Sequence, residues 1–323
     1  MSKSLNTDFF HNEMPPRPMG KYAHIVMLRV TEGYALFQTD GELNRARVTA
    51  GTQKEDPLMT RITLFKRKQT TPERLNGREL LRNYGLMPEE CVYNESACKR
   101  CPDCVTYGFA IGDGGSEKSK VYAETAFSLT DYALSHEVFT LNAPYEDGTM
   151  SDKGVVTSRI NSQDHVKPQT IFPSVLTTRD LTASLFAYVL GNVMRTTRYG
   201  ATTTRGGTVR NHIAAIILSD GEIFSNLLFT QHLFDELQPT GIDPVKVSDA
   251  LSAADKVIPT LLKADNVRDQ QVLMGSDLAA FLTNVRAMDE SALGEVLTQA
   301  AKGSQAYYEA YIAKADKGKG KNK

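Results

Sequence analysis

The chain contains no tryptophan and only four cysteines in 323 residues, and all four fall between positions 91 and 104. So few thiols, packed into one short segment, exclude a disulfide-framework protein. A chain of this length buries enough apolar surface to fold without cross-links. Long hydrophobic runs are missing as well. The longest unbroken apolar stretch, residues 213–218, is far short of the roughly 20 residues that a membrane-spanning helix needs. The opening residues, MSKSLNTDFFHNEMPPRP, hold no apolar stretch of signal-peptide length, so the protein is expected in the cytoplasm. Net charge is nearly absent too: 37 basic side chains face 38 acidic ones, and the total points to no partner.

Common catalytic signatures are also missing. Residues 112–119, GDGGSEKS, come close to a phosphate-binding loop, but Glu117 stands where the second glycine is required. No glycine pattern for a dinucleotide opens a βαβ unit, and neither a Gly-x-Ser-x-Gly elbow nor a His-Glu-x-x-His motif occurs. The six histidines are scattered singly, and His24, inside a predicted strand, reads as a packed residue.

What the chain does have is segregated charge. Residues 61–82 carry seven basic side chains against Glu73 and Glu79. Residues 195–210 carry Arg195, Arg198, Arg205 and Arg210 with no acid, whereas residues 231–300 hold eleven acids against five bases. Such asymmetry says more than the total.

β-branched and apolar enrichment predicts strands over residues 22–30, 34–38, 60–65, 106–111, 121–129, 138–141, 155–160 and 213–218. The stretches 106–111 and 121–129 would form a hairpin around the turn-rich 112–119. A helix is predicted from Asp180, with Leu181, Leu185, Val189 and Val193 on one face. Thr177 or Thr178 would cap it and Gly200 would end it. Residues 245–264, 275–288 and 291–315 also read as helical. Strands on both sides of one buried helix suggest an α+β domain, with the lysine-rich residues 316–323 as a basic disordered tail.

The cysteines are spaced Cys91-x6-Cys98-x2-Cys101-x2-Cys104. Two-residue spacers let tight turns aim soft thiolates at one ion, and four thiolates complete a tetrahedral zinc shell with no open position. Zinc would therefore be structural here. An iron–sulfur cluster is the alternative, because Cys-x2-Cys-x2-Cys opens ferredoxin-type runs. Three thiolates with His136 would be a variant, and four free thiols the remaining reading.

The segment from Arg195 to Arg210 packs four arginines, six threonines, three glycines and Tyr199 between a buried helix and an apolar strand. Arginine gives planar, charge-assisted contacts to phosphate. Glycine lets a backbone approach a ligand, while threonine hydroxyls and Tyr199 can add sugar or base contacts. A helix end explains Arg195 and Arg198 through the helix dipole, but not Arg205 and Arg210. A second run, Lys66, Arg67 and Lys68, reads either as a charged edge strand or as a backbone clamp. Asp40 and Asp113 lie in turns where a carboxylate could hold magnesium beside a phosphodiester.

Four stretches together carry a family likeness. They are YAHIVMLRV after a proline-rich start, the cysteine segment 91–104, VYAETAFSL, and RTTRYGATTTRGGTVRNHI. Over residues 15–230 the chain resembles the backbone subunit of type I-D CRISPR interference (Cascade) complexes, in the repeat-associated RNA-binding superfamily. The resemblance implies an RNA-recognition-motif or ferredoxin-like core over 15–230. It places an inserted zinc-binding and thumb subdomain over about 85–150, with 107–129 containing the projecting hairpin, and leaves 231–315 as an acidic helical region. It also implies subunits stacked as a filament along a guide RNA (crRNA), which pairs with target nucleic acid in antiviral defence. The implied partners are copies of itself and other subunits of the complex. Guide binding would fall on Lys66, Arg67, Lys68, Arg195, Arg198, Arg205 and Arg210. Related subunits that cut RNA use an aspartate after an early strand, for which Asp40 is the nearest candidate. A non-catalytic RNA-binding subunit is thus the leading expectation. The competing ones are a metal-dependent nuclease using Asp40 or Asp113, and a zinc-containing adaptor whose basic runs meet an acidic protein.

Overall fold

The stretch YAHIVMLRVT is nearly all apolar or β-branched, and it becomes β1 (Tyr22–Thr31), a strand buried along almost its whole length. The structure, a computed structural model, describes residues 4–39, 42–112, 115–140, 151–152, 155–156, 162–200, 206–238 and 244–313. After β1 come two strand pairs, β2 (Gln38–Thr39) with β3 (Glu42–Leu43) and β4 (Arg45–Thr49) with β5 (Leu58–Leu64). Helix α1 (Lys66–Asn83) and the six-residue α2 (Pro102–Tyr107) bracket the cysteine segment. Then β6 (Phe109–Ala110) pairs with β7 (Ser116–Glu117), and β8 (Val121–Ala123) precedes β9 (Ala126–Phe127), which pairs with β5. A single turn, α3 (Tyr132–Ser135), leads into β10 (His136–Thr140). Strand β10 pairs with β13 (Ser162–Val166) around the small pair β11 (Ser151–Asp152) and β12 (Val155–Val156). Strand β14 (Ile171–Arg179), helix α4 (Ala183–Arg195) and β15 (Val209–Ser219) follow. The chain continues through α5 (Asn226–Leu237), α6 (Val247–Ala264), β16 (Asp269–Leu273), α7 (Gly275–Arg286) and α8 (Glu290–Tyr307).

The central sheet runs β16-β15-β1-β14-β8, and every neighbouring pair in it is antiparallel. Along the chain its inner part reads strand, helix, strand, strand, helix, strand: β1, α1, β8, β14, α4, β15. The alternation of a strand sends Ile25 and Met27 to one face and Val26, Leu28 and Val30 to the other. The first set packs with Leu81 of α1 and Leu185 and Val189 of α4. The second packs with Phe229 and Leu233 of α5 and Ala250, Ala254 and Ile258 of α6. Both faces of the sheet are therefore covered. Among the described residues no helix is long and apolar enough to cross a membrane.

The mixed α/β character and the helices near 247–264, 275–286 and 290–307 agree with the sequence reading. Other elements differ. Thr177 and Thr178 belong to β14, and Thr182 caps α4 instead, its Oγ1 accepting from the Leu185 amide at 3.3 Å. Helix α4 stops at Arg195, before Gly200. Thr106 and Tyr107 are helical because Cys101 and Pro102 start a helix there. The stretch 121–129 splits, β8 joining the central sheet and β9 crossing to β5. Only the short pair β6–β7 remains of the expected hairpin, and the longer hairpin excursion is β10–β13. The C-terminal region is not wholly helical, since β16 extends the central sheet beside β15. The tail 316–323 lies outside the described residues, as do positions 157–160 of an expected strand.

Candidate metal centre and nucleic-acid interface

The four cysteines are buried and their sulfurs lie within 4.8 Å of one another. Cys91 Sγ is 3.6 Å from Cys104 Sγ and 3.9 Å from Cys101 Sγ, and Cys98 Sγ is 4.0 Å from Cys104 Sγ. A tetrahedral zinc–thiolate shell with bonds of ~2.3 Å sets its sulfurs about 3.8 Å apart. Backbone amides of Cys98, Cys101 and Cys104 donate to the sulfurs of Cys91, Cys98 and Cys101 at 3.3–3.4 Å. Hydrogen bonds within the quartet, that from Cys101 foremost, hold the Cys91 thiol well below its usual range and bring Cys98 down to about 7. Cys101 is pushed up, chiefly by its bond with Cys104. Four sulfurs this close cannot all ionise without a cation among them, so the donor set fits a metal ion. His136 is not part of the quartet; its Nδ1 lies 2.7 Å from the Tyr132 carbonyl.

Helix α1 braces this knuckle. Arg74 and Arg78, one turn apart on a single face, both reach the fully buried carboxylate of Asp103. Arg74 is bidentate at 2.9 and 2.9 Å, and Arg78 adds a contact at 2.8 Å. Arg78 Nη2 also donates to the Cys91 carbonyl at 2.6 Å and lies 3.5 Å from its sulfur. Burial works against the Arg78 charge, but Asp103 and Cys91 outweigh it and hold the guanidinium above its usual pKa.

The basic runs, far apart in sequence, meet at one end of the α1–α4 pair. Lys66, Arg67 and Lys68 form the first turn of α1, which has no acidic residue and no side-chain cap. The edge-strand reading of this run is thereby overturned. Lys66 and Arg67 are exposed and in no ion pair among the described residues. Lys68 is buried, and its Nζ donates to the Gln38 carbonyl. Pro72 has no N–H to offer the Lys68 carbonyl one turn back, and the Gly200 amide reaches that carbonyl at 3.5 Å. Arg195 ends α4 and Arg198 follows it; both are exposed, Arg195 lines a cavity with Phe281 and Arg286 of α7, and Arg198 Nη1 donates to the Gly206 carbonyl.

Tyr199 is not a stacking surface, because it is buried. Its hydroxyl donates to Glu73 Oε1 at 3.0 Å and accepts from Asn211 Nδ2 at 2.7 Å, and its ring lies 4.8 Å from the Arg29 guanidinium. Arg29 pairs with Glu73 at 2.8 Å, both fully buried, and donates to Asn211 Oδ1 at 3.0 Å. Burial opposes the Arg29 charge, and Tyr199 with Glu73 holds its pKa above the usual value. The glycines of this segment serve packing. A Cβ on Gly207 would sit 2.3 Å from the Gly33 backbone, and one on Gly200, at φ +89°, would sit 2.1 Å from the Leu36 carbonyl oxygen. Arg210, on β15, is exposed but ion-paired with Glu32 at 2.6 Å. Arg205, Asp40 and Asp113 lie outside the described residues.

The sequence reading missed Arg29, Glu73, Asn211 and Asp103. The available signal was an arginine in mid-strand among apolar residues, since a buried charge demands a partner.

Together these features define a mixed α/β protein on an antiparallel sheet, with a buried four-cysteine cluster that could bind a metal ion, braced by Arg74 and Arg78 of α1. The Csc2 CRISPR family model matches residues 9–297, and the chain belongs to that family. Its fold is similar to the crystal structure of Thermofilum pendens Csc2, at 16% identity over 91% of each chain and a TM-score of 0.51. It is also similar to a chain of a pre-nicking CRISPR RNA-guided surveillance complex. There the identity is 10% over 88% of this chain and 100% of that one, with a TM-score of 0.50. No curated protein matches it.

Proposed function

We propose that this protein is the guide-RNA-binding backbone subunit of a type I-D CRISPR interference complex, repeating along the guide in the cytoplasm beside other subunits. The observation that supports this reading is that the two basic runs approach each other where the Gly200 amide reaches the Lys68 carbonyl, beside the exposed Lys66 and Arg67 that open α1. Such a ledge suits a phosphate backbone. In RNA-guided recognition the sequence is read by base pairing, so the protein needs phosphate and shape contacts. The sheet order and the strand–helix–strand–strand–helix–strand sequence support an RNA-recognition or ferredoxin-like core. Helices α5 and α6 cover the face on which such cores stack bases, so contact falls on the ledge at the helix ends.

The metal in this reading is zinc. The sulfur spacing suits a single tetrahedral ion, whereas an iron–sulfur cluster interposes its own atoms between cysteines and needs a wider spread. Four thiolates leave no open position, so zinc would hold the knuckle and not act in chemistry.

Native mass spectrometry of the protein with a ~40-nucleotide single-stranded RNA tests this, given the ~4–16 nucleotides that single-strand modules cover. The expected result is a ladder of copies per strand, each with one zinc, that is lost in Arg67→Glu/Arg198→Glu. Zinc-loaded protein that stays free of RNA overturns the function and leaves an adaptor. Magnesium-dependent loss of the RNA would instead favour the nuclease.

A further inference from the structure

Beside the ledge, and sharing Lys66 and Arg67 with it, one cleft combines cations, an aromatic ring and hydroxyls. A cavity of about 340 Å³ opens between the first two turns of α1 and the cysteine knuckle, lined among others by Lys66, Arg67, Thr71, Tyr93 and Ser119. A second cavity of about 450 Å³ lies along the knuckle and reaches residues 108–112. Arg74 and Tyr93 line both. We propose that this cleft is a nucleotide subsite for single-stranded RNA, with a phosphate on Lys66 and Arg67 and a base against Tyr93. The proposal rests on the RNA-binding reading above and extends the strand's path from the ledge onto the knuckle.

Charge is the first argument. Arg74 and Arg78 share the single charge of the buried Asp103, so Lys66 and Arg67 are the cations of the first cavity that are in no ion pair. Cations in the first turn of a helix oppose its dipole and cost α1 stability. A bound anion offsets that cost.

Shape and order are the second. The Arg74 guanidinium lies over the rings of both Tyr93 and Tyr107, at 5.1 and 5.4 Å. The Tyr93 hydroxyl lies 3.1 Å from Thr71 Oγ1. The Tyr93 ring is thus fixed on one side by an arginine that Asp103 holds, and at its tip by α1. An ordered ring beside two cations is the usual means of holding a base and its phosphate without reading sequence. An acidic peptide would use the cations and leave the ring without a role. The volume is that of a small-ligand site, for which ~300–1,000 Å³ is typical.

The test uses full-length, zinc-loaded protein and oligouridylate RNA. Tyr93→Ala should weaken binding roughly five- to a hundredfold, the effect of losing one base–aromatic stack. Tyr93→Phe, which keeps the ring and drops the Thr71 contact, should restore most of the loss. Lys66→Ala/Arg67→Ala should flatten the slope of log affinity against log salt by about 1.4, the release expected for two single-strand phosphates. Ultraviolet irradiation should crosslink uridine to Tyr93 in the wild-type complex, and that readout decides the matter if Tyr93→Ala loses its zinc. Wild-type affinity in Tyr93→Ala, or no crosslink there, overturns the subsite and leaves the function standing. A flattened slope with an unchanged Tyr93→Ala assigns the cleft to an anion without bases, such as an acidic peptide. A wild-type protein that binds no RNA removes subsite and function together.

Discussion

Arg29 is the residue on which the ledge turns. It sits in the middle of β1, fully buried, and reaches Glu73 of α1, Asn211 of β15 and the ring of Tyr199. Each partner belongs to a different element, so the cluster fixes where α1 meets the segment after α4. Tyr199→Phe keeps the ring but removes the hydroxyl shared by Glu73 and Asn211. Leaving buried polar groups short of a partner costs about 1–3 kcal/mol, and urea denaturation should show that loss, with RNA affinity falling alongside as the ledge loosens. His24 makes a second residue-scale prediction. It is buried between Thr177 Oγ1 at 2.8 Å and Ser219 Oγ at 2.9 Å, and burial lowers its pKa from 6.5 to about 4. The fold therefore holds a neutral ring that the unfolded chain protonates as pH falls below 6.5. The stabilisation is complete above that value and is lost progressively down to pH about 4, a change of about 3 kcal/mol. In His24→Gln this part of the acid sensitivity should vanish. Parallel pH–stability curves for the two proteins between pH 7 and 4 would refute the assignment.

At the scale of elements, the knuckle and α1 are one unit. Three hydrogen bonds from Arg74 and Arg78 converge on Asp103, which lies in the first turn of α2 between Cys101 and Cys104. Asp103→Asn leaves the buried Arg78 and the half-buried Arg74 facing a neutral amide, and breaking a buried pair in this way costs about 3–5 kcal/mol. Chelating the zinc proposed for the quartet should loosen the same unit. The expected outcome is a lower melting temperature, four thiols open to alkylation, and faster amide exchange in α1 than in α6. Unchanged exchange in α1 would show that the knuckle and helix are independent. This unit was only half legible in the sequence. The Cys-x2-Cys-x2-Cys spacing is local, so it exposed the quartet directly. Helix α1 was not recognised, because its first turn, Lys66-Arg67-Lys68, opposes the helix dipole and Pro72 interrupts it. Strand β14 was missed for a related reason. Thr177 and Thr178 lie just before an apolar helical period and resemble caps, yet the partners that make them a strand are His24 and Ala23, more than a hundred residues away. The arginine-rich segment was recognised as special from its composition. What could not be read was that Gly207 meets the backbone of Gly33, since close approach is set by tertiary contact.

For the whole molecule, the near-zero net charge removes any general attraction for a polyanion. Binding must then come from local charge. The acidic residues 231–300 lie mostly on α5 to α8, whereas Lys66 and Arg67 open α1 and Arg195 and Arg198 lie at and just after the end of α4. At physiological salt the Debye length is about 8 Å, so acids beyond that distance do little to cancel the ledge. For the proposed RNA-binding role, the dependence of affinity on salt then tests whether these local cations hold the strand. Four cations, Lys66, Arg67, Arg195 and Arg198, should give a slope of log affinity against log salt of about −3, at roughly −0.7 per single-strand phosphate. Each neutralised member, Arg195→Gln for instance, should flatten the slope by about 0.7. Asp255→Asn, on the exposed side of α6, should leave the slope unchanged. A slope near zero in the wild type would mean that RNA is not held through its backbone at all. A slope that responds to Asp255 as strongly as to Arg195 would mean that the protein acts as one diffuse charge, and the meeting of the two basic runs would have no part in binding.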